Sequence, residues 1–134
     1  MPHMLQKPGI TAKRSGTILI VDDEERIRRI YRAALELEGF RIEEAATILQ
    51  ARQMMLDASV ELILLDIELP QLDGSVLYEI SRAFHRDVKV IVVSVHPVHE
   101  QRKHISEAYA YHDKSSGLDS LIEKVRLAFG EPTA

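Results

Sequence analysis

Apolar residues along this chain follow two rhythms. Some form short unbroken runs; others recur every third or fourth position. The run "TILIV", Thr17–Val21, is β-branched and apolar at both parities, so it predicts a strand covered on both faces, as in a parallel sheet. "DDEE" follows at once, with Asp23 as expected N-cap and Glu24 and Glu25 suited to the positive end of a helix. Ile27, Ile30, Tyr31, Ala34 and Leu35 then recur at helical spacing, and Gly39 stands where a left-handed residue ends a helix. Phe40–Ala45 is a weaker strand whose Glu43 and Glu44 suggest a sheet edge. Thr47 is expected to cap a helix through Leu56 that carries Leu49, Met54 and Met55.

The alternation continues. Leu62–Leu65 and Val88–Val93 read as buried strands, with a helix over Ser75–Phe84 between them that carries Val76, Leu77, Ile80 and Phe84. A helix is expected over His99–Ala108 and a short strand over Tyr109–His112. Leu118, Leu121, Ile122, Val125 and Phe129 mark a last amphipathic helix, closed by Gly130 and Pro132. Five strand–helix repeats with helix-filled connections require right-handed crossovers, hence a doubly wound α/β domain.

Size and composition agree. A chain of 134 residues suits one core, and 46% hydrophobic with 28% charged residues is ordinary for a soluble domain. We expect a flexible leader over 1–16, the domain over 17–130 and a tail over 131–134. The leader holds Lys7, Lys13 and Arg14 and no acid; removing these three from 17 basic residues leaves 14 against 21 acidic ones. So acidic a body argues against direct nucleic-acid binding. No apolar run approaches a membrane span, and there is no secretory h-region. The absence of cysteine excludes disulfides, thiolate catalysis and Cys-ligated zinc, and suits a cytoplasmic location.

In open α/β sheets, ligands bind beyond the carboxyl ends of the strands. That rule gathers Asp22, Asp23, Asp66, Ser94 and Lys114 at one rim. Three carboxylates so placed repel one another, and a hard divalent cation relieves them: Mg2+, with Mn2+ as the alternative, takes oxygen ligands and leaves room for phosphate oxygens. A hydroxyl and an ammonium complete an anion pocket suited to phosphoryl transfer. A carboxylate can be the nucleophile and form an aspartyl phosphate, and Asp66, on the central strand, is the best placed. Each residue alone has a plainer reading as cap, turn former or solvated charge. His96 and His99 are read as surface histidines. Arg26, Arg28, Arg29 and Arg32 form a solvated helix face, from which Arg28 or Arg29 could dock a phosphodonor. Leu37 reads as a contact residue or a core edge.

With "ILIVDDEERIRRIYRAALELEGF", "ELILLDIELPQLDG", "VIVVSVHP" and "YHDKSS" in this order, the chain resembles a response-regulator receiver domain of two-component signal transduction from about Thr17 to Phe129. The resemblance implies a flavodoxin-like (βα)5 fold with a five-stranded parallel sheet in the order 2-1-3-4-5. It implies a Mg2+-dependent switch, not an enzyme beyond its own phosphorylation and dephosphorylation. Asp66 matches the phosphoacceptor, and Asp22 and Asp23 the metal-binding acidic pair. Glu68 would lend its backbone carbonyl to the metal. Ser94 matches the switch hydroxyl, Tyr111 the switch aromatic and Lys114 the phosphoryl-binding cation. Pro70, Asp73 and Gly74 match the turn into the third helix.

Implied partners are a sensor histidine kinase or histidine phosphotransfer protein, and a downstream protein or an output domain. A phosphorylation-dependent homodimer is a further expectation. The chain departs from the pattern where Ser115 replaces the usual proline after the lysine, where Val95 replaces a small residue, and where Glu107 replaces a glycine. The Ser94–Lys114 interval is about two residues short by comparison with the family, which makes the fourth helix the least defined element. "S-x-H" and "K-x-S" resemble receivers of the NarL/FixJ type. The rival readings are an aspartate-nucleophile phosphohydrolase, with Glu68 at its second-acid position, and an inert pseudo-receiver that binds partners regardless of Asp66.

Overall fold

The computed structural model describes residues 16–56, 59–68, 74–84, 87–105 and 107–131. Most of the expected leader, the turn residues Pro70 and Asp73, the side chain of Phe84 and the last three residues lie outside that description. The elements alternate as read: β1 (Thr17–Val21), α1 (Glu25–Leu37), β2 (Arg41–Ala45), α2 (Ile48–Met54), β3 (Val60–Asp66), α3 (Gly74–Phe84), β4 (Lys89–Ser94), α4 (Val98–His104), β5 (Ala110–Asp113) and α5 (Leu118–Ala128). The sheet is parallel with order β2-β1-β3-β4-β5, the expected doubly wound arrangement. No described helix is long and apolar enough to cross a membrane.

Strand parity divides the core into two layers. Ile18, Ile20, Leu62, Leu64, Ile91 and Val93 face α1 and α5, packing on Tyr31, Leu35, Leu121 and Val125. Leu19, Val21, Ile63, Leu65, Val90 and Val92 face the other way, onto Ile48, Ala51, Leu77 and Ile105. This is why β1, β3 and β4 read as unbroken apolar runs: both faces are covered. β2 exposes Arg41 and Glu43 and buries Ile42 and Ala45, in keeping with its place at the sheet edge.

Register decides what meets at the rim. β1 and β3 start with Thr17 beside Val60, but a one-residue irregularity then sets Ile18 beside Leu62 and Val21 beside Leu65. An unshifted register would have paired Val21 with Leu64. The slip advances β3 by one residue and levels Asp22 with Asp66 just past the last pair.

Two expectations need correction. Asp23 is not the N-cap of α1. Glu24 holds that position without a side-chain cap bond, and the Glu24 N–H donates to Asp22 Oδ1 at 2.9 Å. The fourth helix stops at His104, not Ala108, because Ile105 turns extended and buries its side chain. Among the apolar residues of α2, Leu49 is 63% exposed, and Ala51, with Met55 just past the helix, does the packing. Thr47 caps α2 as expected, accepting from the Gln50 N–H at 3.1 Å. Gly39 has φ 94° and closes α1 with Gly39 N–H to Glu36 O and Phe40 N–H to Leu35 O, a Schellman ending.

Candidate functional site

Three parallel strands end together, and each ends in chemistry. Asp22 follows β1, Asp66 closes β3 and Lys114 follows β5. One carboxylate oxygen from each of Asp22, Asp23 and Asp66 lies within 4.8 Å of the others. Asp22 and Asp66 are buried, and Asp23 is exposed. Lys114 reaches across the rim, with Nζ 3.0 Å from Asp22 Oδ2, 3.5 Å from Asp66 Oδ2 and 3.7 Å from Glu24 Oε1.

Asp66 is held at one oxygen, where Oδ1 accepts the Glu68 N–H at 2.9 Å. Burial lifts its carboxyl to a pKa of about 6; the Glu68 N–H opposes this, Asp22 adds to it and Lys114 offsets part. Burial alone would lower the Lys114 ammonium, but Asp66, Asp22 and Glu24 together raise it above the ordinary lysine value. One ammonium therefore does not neutralise the cluster. Close carboxylate oxygens with no soft donor among them form a set that fits a small hard cation.

Ser94 and Tyr111 belong to a different layer. Ser94 has the parity of Val90 and Val92, away from α1 and α5. Its hydroxyl donates to Glu68 Oε1 at 2.9 Å and accepts the His96 N–H at 3.1 Å. His96 in turn lies 3.2 Å from Glu68 Oε2 and 3.6 Å from Glu100 Oε2. Tyr111 is buried on β5; its hydroxyl donates to Ile105 O at 2.6 Å and accepts the Ala108 N–H at 3.1 Å, with Arg102 5.0 Å over the ring. Of the expected set, the structure joins Asp22, Asp23, Asp66 and Lys114 directly. Glu68 links Asp66 to Ser94, and Tyr111 is engaged with the segment after α4.

The departures resolve locally. After Lys114 the chain makes a 3-10 turn, Lys114–Ser116, in which Asp113 Oδ1 accepts both the Ser115 N–H at 2.9 Å and the Ser115 hydroxyl at 2.8 Å. Among the described residues no peptide bond is cis. Val95 is 61% exposed. The Glu107 carbonyl accepts the Tyr78 hydroxyl, tying α3 to the approach to β5.

The sequence reading misjudged the surroundings of one residue and passed over another. Arg28 is not on a solvated face: it donates to Asp22 O at 2.7 Å and to Glu44 Oε1 at 3.0 Å, while Arg29 pairs outward with Glu25. His112 is buried on β5, with Lys124 Nζ 3.2 Å from its Nδ1. Burial first, then Lys124, push its pKa down to about 4. An arginine in a helix and a histidine in a strand carry no local signal of burial, because both depend on partners far along the chain.

Comparison with known proteins places this geometry. Residues 18–126 match the family described as the response regulator receiver domain. The transcriptional regulatory protein SrrA of Staphylococcus aureus is 47% identical over 60 residues, which cover 45% of this chain and 25% of that protein. The chain thus matches about a quarter of the length of that relative. Response regulator TrrA of Thermotoga maritima, solved in complex with Mg2+-BeF, superposes with a TM-score of 0.77 at 30% identity, covering 84% of this chain and 98% of that one. A CheY-like receiver domain from Methanospirillum hungatei gives a TM-score of 0.80 at 29% identity, covering 87% and 95%. TrrA has also been solved in complex with the histidine kinase ThkA. The chain belongs to the response regulator receiver domain family of two-component signalling.

Proposed function

We propose that Asp66 accepts a phosphoryl group from a sensor histidine kinase or a histidine phosphotransfer protein. The observation that carries this is the Asp66 carboxylate itself: buried, made more basic by its surroundings, and facing Lys114 at a rim whose other groups are acidic. At pH 7 a carboxyl with a pKa of about 6 is largely ionised, so the nucleophile is present and stronger than an ordinary aspartate. An Asp66 oxygen attacks phosphorus. The bond from phosphorus to the donor's leaving atom breaks, and its electron pair departs with the donor.

Asp22, Asp23, Asp66 and the Glu68 carbonyl are the groups that would hold Mg2+, with Mn2+ as substitute. When bound, the ion neutralises the phosphoryl oxygens. Lys114 supplies a further positive charge. Ser94 gives up its bond to Glu68 to reach the phosphoryl group, and Tyr111 follows on the same layer, changing the surface of α4, β5 and α5 for a downstream protein, an output domain or a second copy. The bound phosphate shifts this two-state balance only by its differential contacts in the two states. The phosphohydrolase reading is the weaker one, since the Glu68 carboxylate at its second-acid position is engaged by Ser94 and His96.

Incubation with acetyl phosphate and Mg2+, followed by intact mass and a phosphate-retarding gel, tests this reading. The wild type is expected to gain one labile phosphoryl group, and Asp66→Asn or wild type in EDTA none. Turnover of added phosphate esters without a phosphorylated protein would support the hydrolase instead.

A further inference from the structure

We propose that Arg28 is a positioning residue for the metal-binding acidic pair, acting on the peptide that joins Asp22 to Asp23. This role rests on the reading of the rim as a divalent-cation site. Arg28 Nη1 donates to Asp22 O at 2.7 Å and Nε donates to Glu44 Oε1 at 3.0 Å. Its side chain is only 14% exposed. A planar guanidinium thus forks between a β2 carboxylate and the carbonyl at the end of β1, a geometry that lysine does not reproduce. The other Glu44 oxygen takes Arg32, which also holds Glu36, so Glu44 is itself fixed.

Asp22 is tethered at every handle. Its N–H donates to Ala45 O at 3.1 Å, Oδ1 accepts Glu24 N–H, Oδ2 meets Lys114, and its carbonyl accepts Arg28. Asp23 is the opposite case. No hydrogen bond or ion pair among the described residues reaches its carboxylate, yet that carboxylate completes the acidic cluster. Its place is set by the backbone alone, and the Asp22 carbonyl is part of the peptide plane that aims it. Arg28 grips that plane. Arg32 and Glu36 steady Glu44 from the exposed side of α1, but of this ladder only Arg28 touches the peptide plane that orients the least supported ligand.

Mn2+ binding to the unphosphorylated protein, read as free Mn2+ by electron paramagnetic resonance, tests the role without any phosphoryl transfer. Arg28→Ala is expected to weaken binding roughly tenfold, the effect of losing an outer partner of a ligand. Arg28→Lys, which keeps a donor for the carbonyl but loses the fork, is expected to fall between. Arg32→Ala disturbs the same ladder without touching Asp22 and is expected to bind as wild type does. Urea midpoints in EDTA accompany each variant. A loss of affinity that merely tracks lost stability, equal in Arg28→Ala and Arg32→Ala, overturns the proposal. So does Arg28→Ala binding as tightly as wild type. Should the wild type hold no Mn2+ that Asp23→Asn abolishes, the reading of the rim falls, and the role of Arg28 falls with it. Arg28→Lys and Glu44→Gln keep the test open if Arg28→Ala does not fold.

Discussion

Asp66 pays for its chemistry in stability. Its carboxyl is 4% exposed and titrates near 6 in the folded chain, against 3.8 ordinarily. A raised folded pKa means a contribution fully present below pH 3.8 and lost as pH rises through 6. At pH 7 the ionised group is therefore destabilising. Asp66→Asn removes that charge and is expected to raise the melting temperature in EDTA by about 4 °C, roughly 1 kcal/mol after discounting for solvent. Adding Mg2+ is expected to stabilise the wild type and to leave Asp66→Asn nearly unmoved. Calorimetry of both proteins with and without Mg2+ checks this. The four groups at strand ends were legible because topology alone brings strand ends together. The Glu68–Ser94 bond, the Arg28 fork and the buried His112 were not, because each depends on how far a side chain reaches between elements.

Helix endings were legible where one residue decides them and obscure where packing does. Gly39 sits at φ 94°, a region that strains any side chain. Gly39→Ala is expected to lower the unfolding free energy by about 1 kcal/mol or more in urea titrations. The Thr47 cap is reinforced by Gln50 Oε1, which accepts the Ala46 N–H at 2.8 Å. Thr47→Ala is expected to cost about 1 kcal/mol in the same assay. α4 shows the other case. Its expected run to Ala108 rested on composition, whereas its true end is set by Ile105 entering the core and Tyr111 taking the Ile105 carbonyl. Asp23 was misread as a cap for a related reason: two successive acids before a helix carry the same capping signal, and only the contact from the Glu24 N–H to Asp22 shows which of them engages the helix entry.

At the scale of the molecule, two buried titrations oppose each other. Between about pH 4 and pH 6 the folded chain holds an extra proton on Asp66, while the unfolded chain holds one on His112. The His112 contribution is present above pH 6.5 and lost as pH falls through 4, the reverse of Asp66. The two contributions run against each other across this window. Asp66→Asn is expected to unmask His112, so that stability rises with pH from 4 to 6.5; urea unfolding at stepped pH reads the slope. The doubly wound architecture and the convergence of the rim follow from alternation and handedness, and so were within reach of the sequence; the sheet order came from the family resemblance. The register slip between β1 and β3 was not, because nothing local marks it, yet it levels Asp22 with Asp66. The NarL/FixJ-type likeness rests on two short motifs alone. The account turns on one bond, between phosphorus and a carboxylate oxygen at position 66. Reductive trapping of the phosphorylated protein with borohydride converts an aspartyl phosphate to homoserine, which peptide mass mapping locates. Homoserine is expected at position 66 and nowhere else; its appearance at Asp22, Asp23 or another acid, with Asp66 intact, would contradict the account.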